Sequence, residues 1–195
     1  MANGGAMVTT TGSSLVTMAD VDAPTTVSHV AYLDGYVLAN KTGTATFYFS
    51  AINDMLTWGA ADFASANATP GNLIALHVGW REILLVKPDG VETWFNDGST
   101  PFVRLDGGAI QRGCSAIYSV QQVGNNWVWL DEQRRFVKLD GRTPSHISFP
   151  FAKRISRYGV VDDVTSDVTL VDGYPLWLVH FPNAAKTLAY HSEKS

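Results

Sequence analysis

The chain has 195 residues, 46% of them hydrophobic and 11% aromatic, which is enough apolar material to bury a core and too much for a disordered chain. Its 14 Lys and Arg stand against 18 Asp and Glu, a net charge of −4 that disfavours a domain gripping nucleic-acid phosphates over a broad surface. Any such contact has to be local. Cys114 is the only cysteine, which excludes an internal disulfide and a multi-cysteine zinc site and suits a reducing cytoplasm or a particle assembled there. Residues 1–10 lack the basic and apolar runs of a secretory signal, and no apolar stretch approaches the roughly 18 residues of a membrane helix. The sequence reads as soluble.

In chain order, residues 6–10 and 14–17 read as two short strands, and 20–24 as a loop. Residues 29–38 give a strand, an Asp34-Gly35 turn and a second strand, followed by an aromatic strand at 46–50. Residues 54–66, with Met55, Trp58 and Phe63 on one side, predict a short helix or irregular turn packed over a sheet, and 67–72 form a further loop. The hairpin pattern returns at 74–85, 118–130 and 167–179, each time followed by a strand carrying aromatics, at 92–97, 134–141 and 186–190. A phenylalanine-proline turn at 149–150 precedes the other long non-strand segment, 151–158.

The glycines of the four hairpins, Gly35, Gly79, Gly124 and Gly173, are separated by 44, 45 and 49 residues. A period near 45 with about four strands per unit is what a β-propeller blade requires, because each small sheet buries both faces against its neighbours. The fold predicted is all-β and β-propeller-like, with about four blade units in one region covering 1–195. Its boundaries are a half unit at 1–28, units at 29–73, 74–117 and 118–163, and a partial unit at 164–195. Half units at both ends could close a ring by sharing one blade or mark a chain cut from a longer propeller protein. The second is favoured, since four blades is the lower limit for a propeller.

No residue set predicts catalysis or metal binding. Asp34, Glu82, Glu92 and Asp131 are the candidates for the carboxylate pair of a propeller glycosidase, but acids in Asp-Gly and Asn-Asp turns are explained as turn formers. His29, His77, His146, His180 and His191 form no His-x-His or His-x-x-x-His pair, so no metal site is expected. The acids Asp20, Asp22, Asp162, Asp163 and Asp167 match no calcium loop. Two basic clusters remain: Arg134, Arg135, Lys138 and Arg142, then Lys153, Arg154 and Arg157. Phosphate, an acidic partner, a subunit contact or plain solvation would each account for them.

Several runs are more specific than composition. Asn53-Asp-Met-Leu-Thr-Trp-Gly-Ala-Ala-Asp-Phe-Ala-Ser-Ala66 with Pro70-Gly-Asn-Leu73, Arg81-Glu82 leading to Glu92-Thr-Trp-Phe-Asn-Asp-Gly98, Gly113-Cys-Ser-Ala-Ile-Tyr-Ser119 and Arg134-Arg-Phe-Val-Lys-Leu-Asp-Gly-Arg-Thr-Pro144 together resemble the packaged-DNA stabilisation protein of short-tailed bacteriophages. The likeness spans residues 4–190. It implies a tail hub below the portal and adaptor rings, a non-enzymatic protein of the virion that closes the channel after packaging and carries tail components. It further implies a homo-oligomeric ring, assembly in the host cytoplasm, portal, adaptor or tailspike partners, no membrane, no cofactor, and only indirect or local DNA contact. The family chain is longer than this one. Arg142 and Arg157 are the expected contacts with neighbouring subunits or tail proteins. The alternatives are a carbohydrate-binding or glycoside-hydrolysing propeller, and a cellular scaffold propeller.

Overall fold

A computed structural model describes residues 5–11, 14–99, 101–147 and 151–191. The phenylalanine-proline turn at 149–150 and the outermost ends of the expected half units, 1–4 and 192–195, lie outside the described residues. Contacts divide the chain into two units, residues 1–111 and 112–195.

The first unit begins with a ribbon of β1 (Val8–Thr11) and β2 (Ser14–Thr17), matching the two short strands expected there. Two four-stranded sheets follow, each an up-and-down meander in chain order. One contains β3 (Val27–Leu33), β4 (Tyr36–Lys41), β5 (Thr46–Ala51) and β6 (Asp54–Ser65); the other contains β7 (Ala75–Gly79), β8 (Glu82–Val86), β9 (Val91–Phe95) and β10 (Val103–Ile110). In the second unit β11 (Gln121–Val123), β12 (Asn126–Leu130), β13 (Phe136–Asp140) and β14 (Thr143–His146) repeat that meander. A short helix, α1 (Ala152–Ile155), leads to a three-stranded sheet of β15 (Thr165–Val171), β16 (Tyr174–Phe181) and β17 (Lys186–His191). This is the all-β, blade-like pattern predicted.

The hairpins follow from their turns. Asp34 and Gly35 take φ of 50° and 91°, and Asp172 and Gly173 take 53° and 83°, both residues left-handed as a type I′ turn demands. The second hairpin departs from expectation, because Gly79 is a strand residue paired with Glu82 and the turn itself is Trp80-Arg81, at φ 48° and 64°. An L-residue in this region is disfavoured by roughly a kcal/mol or more, so tertiary contacts must hold it. One is visible: the Arg81 guanidinium bonds the Asp34 carboxylate at 3.0 Å, joining the tips of two hairpins.

The helix or irregular turn expected at 54–66 is instead strand β6. Asp54 Oδ1 accepts the Leu56 N–H at 2.9 Å and Oδ2 the Thr57 hydroxyl at 2.8 Å, which ties this polar start into a non-helical bend. Of the three apolar residues that suggested one packed face, only Trp58 is buried, while Met55 and Phe63 are exposed.

Cores form where sheet faces meet. In the first unit Leu33, Leu38, Phe47 and Phe49 pack with Leu76, Ile83, Leu85, Trp94 and Phe102. The Phe47 and Trp94 rings meet edge to face at 5.5 Å, a geometry worth about 1 kcal/mol beyond area burial. In the second unit Phe136, Trp177, Val179, Phe181 and Leu188 are joined by Ile155, the one buried side chain of α1. The aromatic strands singled out in the sequence thus supply core before anything else.

Candidate functional site

Of the four candidate acids, two are sealed into structure. Glu92 on β9 has no exposed surface and faces Lys87, which is equally buried and lies at the end of the apolar run of β8, at 3.1 Å. Glu92 Oε1 also accepts the N–H groups of Ala68 and Thr69, both at 2.9 Å, and the Thr69 hydroxyl at 3.1 Å; Oε2 accepts Trp94 Nε1–H at 3.2 Å. Lys87 Nζ donates to the carbonyls of Ala66 and of Thr69. Burial pushes the carboxyl pKa up, but the Thr69 and Trp94 bonds and the Lys87 charge outweigh it and hold the group below its ordinary value. The network pins the loop at 66–69 to the sheet. Lys87 escaped the sequence reading; its only signal was a lysine closing an apolar run five residues before a glutamate.

Asp131 is also buried, in the β12–β13 connection. Its Oδ1 accepts the N–H groups of Gln133 and Arg135 at 2.9 and 2.7 Å, and Oδ2 takes Arg135 Nε–H at 3.2 Å with His146 Nδ1 at 3.8 Å. Burial and the Arg135 charge keep His146 below its ordinary pKa despite Asp131. Asp34 pairs with Arg81, and Glu82 flanks that turn on β8. An acid working in a glycosidase needs an oxygen directed at a ligand, whereas the oxygens of Glu92 and Asp131 are occupied by their own loops.

The remaining candidates are dispersed. The His29 and His77 rings meet at 5.4 Å between β3 and β7, and burial, followed by the His29 charge, lowers His77 to about 4. His180 bonds Thr187, and the His191 ring lies 5.5 Å from that of Tyr174. Asp20 accepts N–H groups of Asp22 and Trp58, and Asp163 accepts the Asn183 amide. Among the described residues no cluster of three His, Cys, Asp or Glu is placed to hold a metal. Cys114 is buried, and its thiol is pushed up to about 11 chiefly by that burial.

The two basic clusters differ in fate. Arg134 donates to the Tyr158 carbonyl at 2.5 Å and Arg135 is held by Asp131, so both are structural, while Arg142 is exposed on the β13–β14 turn. Lys153, Arg154 and Arg157 stay exposed around α1. Helical backbone bonds continue past α1, from Arg157 N–H to the Arg154 carbonyl and from Tyr158 N–H to the Ile155 carbonyl, and so keep the three cations on one turn. Together with Phe151 and Tyr158 they line a groove of about 640 Å³.

Among solved structures the chain is similar to the N-terminal domain of Nup159, at 11% identity and a TM-score of 0.44 over 85% of this chain and 44% of that one. It is similar also to Hsv2 of Kluyveromyces lactis, at 10% identity and a TM-score of 0.41 over 92% of this chain and 54% of that one. The chain therefore spans about half the length of these two proteins. A putative exported protein of Bacteroides fragilis matches at 10% identity with a TM-score of 0.27, over 85% of this chain and 71% of that one. No curated protein matches. The phage-stabilisation family described as Bacteriophage P22 Gp10, beta-propeller, matches residues 1–195, the whole sequence, and the chain belongs to this family.

Proposed function

We propose that this chain is a structural protein of the phage particle that stabilises packaged DNA at the head-to-tail junction. Copies arranged in a ring close the portal channel, dock on portal or adaptor proteins and anchor tail components, after assembly in the host cytoplasm. The observation that carries this reading is family membership over the full sequence. The bonding of Glu92 and Asp131 supports it, since the strongest acid candidates serve to fix loops. The exposed Arg142 and Arg157 are available for contacts with neighbouring subunits or tail proteins.

The test is sedimentation of the purified chain with the portal–adaptor assembly and with the tailspike of the same phage. Co-sedimentation with either is expected, together with no hydrolysis of glycans. Failure to associate with any of these partners, or robust glycan turnover lost on changing Glu92 or Asp131, would overturn the proposal.

A further inference from the structure

Five of the 14 Lys and Arg are engaged by partners within the chain. Arg81, Lys87, Arg112 and Arg135 each face a carboxylate, and Arg134 is taken up by a carbonyl. None of the ion pairs formed among the described residues involves Lys153, Arg154 or Arg157. These three cations stand within five residues on one helical turn, and among the described residues no carboxylate lines the groove they share with Phe151 and Tyr158. Lys153 and Arg157, four residues apart, are separated by roughly 6 Å along the turn and lie on one side of it.

The aromatic rings narrow the ligand class. Phe151 and Tyr158 both pack against the core of the second unit, and the Tyr158 ring sits edge-on to Phe181 at 5.0 Å. Both rings line the groove half-buried and are held by the core, which leaves less than the free faces of a base-stacking platform. Three cations with no ion-pair partner among the described residues suit an extended anion with regularly spaced charges. On a chain of net charge −4, whose overall field repels nucleic acid, binding of this kind has to come from such a local site.

We infer that Lys153, Arg154 and Arg157 form a contact for the phosphate backbone of duplex DNA, made without base recognition. The inference rests on the packaged-DNA reading above and gives it a specific surface. An acidic protein segment is the competing ligand, and the test separates the two.

The test is fluorescence anisotropy of a short labelled duplex titrated with the full chain, competed in parallel by polyglutamate. With three phosphate contacts, each contributing a slope of about −0.9 in log affinity against log salt, affinity falls about 40-fold between roughly 50 and 200 mM salt. Each single change, Lys153→Gln, Arg154→Gln or Arg157→Gln, flattens the slope by about one, and the triple variant loses most of the salt-dependent binding. Lys186→Gln, an exposed cation on β17, leaves binding as it is. The triple variant keeps the buried Ile155 anchor, and an unchanged urea midpoint verifies its fold. No duplex binding by the unaltered chain, equal binding by the triple variant, equal loss in Lys186→Gln, or displacement by polyglutamate at lower charge concentration than by unlabelled duplex would each overturn the inference. A chain that joins the portal assembly but ignores duplex DNA sinks this inference alone; one that binds duplex but not the portal, adaptor or tailspike sinks the assembly reading alone.

Discussion

Replacing Glu92 by Gln removes one charge from a network closed to solvent. The amide oxygen can still accept the Ala68 and Thr69 N–H groups, but the amide nitrogen then points a donor at Trp94 Nε1–H, where Oε2 had accepted at 3.2 Å. Lys87 is left buried with neutral acceptors alone, the Ala66 and Thr69 carbonyls and that amide oxygen at 3.1 Å, and no counter-charge for its ammonium. Stranding one member of a buried ion pair costs about 3–5 kcal/mol, and the donor–donor conflict at Trp94 places Glu92→Gln at the upper end. Lys87→Met belongs at the lower end, since the Glu92 carboxylate would keep two backbone N–H groups, the Thr69 hydroxyl and Trp94 as donors. Against a total stability of about 5–15 kcal/mol, either change is large. Urea unfolding followed by tryptophan emission measures both. The sign with pH is also set: a carboxyl held below its ordinary 4.5 stabilises the fold above that pH, and the stability is lost as pH falls through the lower folded value. Glu92→Gln lacks that component. A cost under about 1 kcal/mol for Glu92→Gln, or a larger cost for Lys87→Met, would refute this account of the network.

Three further outcomes follow from the packing. His77, held near 4 against an ordinary 6.5, stays neutral in the fold while the unfolded chain takes up a proton, so its contribution is full above pH 6.5 and declines as pH drops toward and through 4. That decline amounts to about 3 kcal/mol and should be absent from urea midpoints of His77→Phe measured across the same range; an unaltered profile contradicts it. Cys114, buried and raised to about 11, should resist alkylation by iodoacetamide at pH 8 in the native chain and react once urea unfolds it. In Gly35→Ala the added Cβ meets Ile52 Cγ1 and Asn53 Oδ1, each at 2.9 Å, at a φ of +91°, which should lower stability by about 1–3 kcal/mol in thermal melts. A melting temperature equal to the parent would argue against this tight turn.

The hairpin framework was legible because its causes are local. Asp34-Gly35 and Asp172-Gly173 specify left-handed turns by themselves, and the aromatic strands that follow carry the alternation of a half-buried sheet. The Trp80-Arg81 turn was not legible, since its conformation is supported by the bond from Arg81 to Asp34 on a distant hairpin. Strand β6 was misread for a related reason: Met55, Trp58 and Phe63 looked like one packed face, but the Asp54 side chain diverts the start of the segment and leaves only Trp58 inside. Charges showed the same limit more sharply. Arg134, Arg135, Lys153, Arg154 and Arg157 look equivalent as letters, yet two are drawn into internal bonds and three remain outside. Lys87 and Glu92 gave little hint of becoming a buried pair, because burial of a lysine depends on carbonyls contributed by a loop some twenty residues earlier.

The most direct test of the account is DNA retention by filled heads. Heads of the same phage assembled without this protein are incubated with the purified chain, and the fraction of their DNA open to DNase is measured. The chain is expected to protect the packaged DNA in proportion to its occupancy at the portal vertex. Heads that carry the bound chain and still lose their DNA at the rate of untreated heads would contradict it.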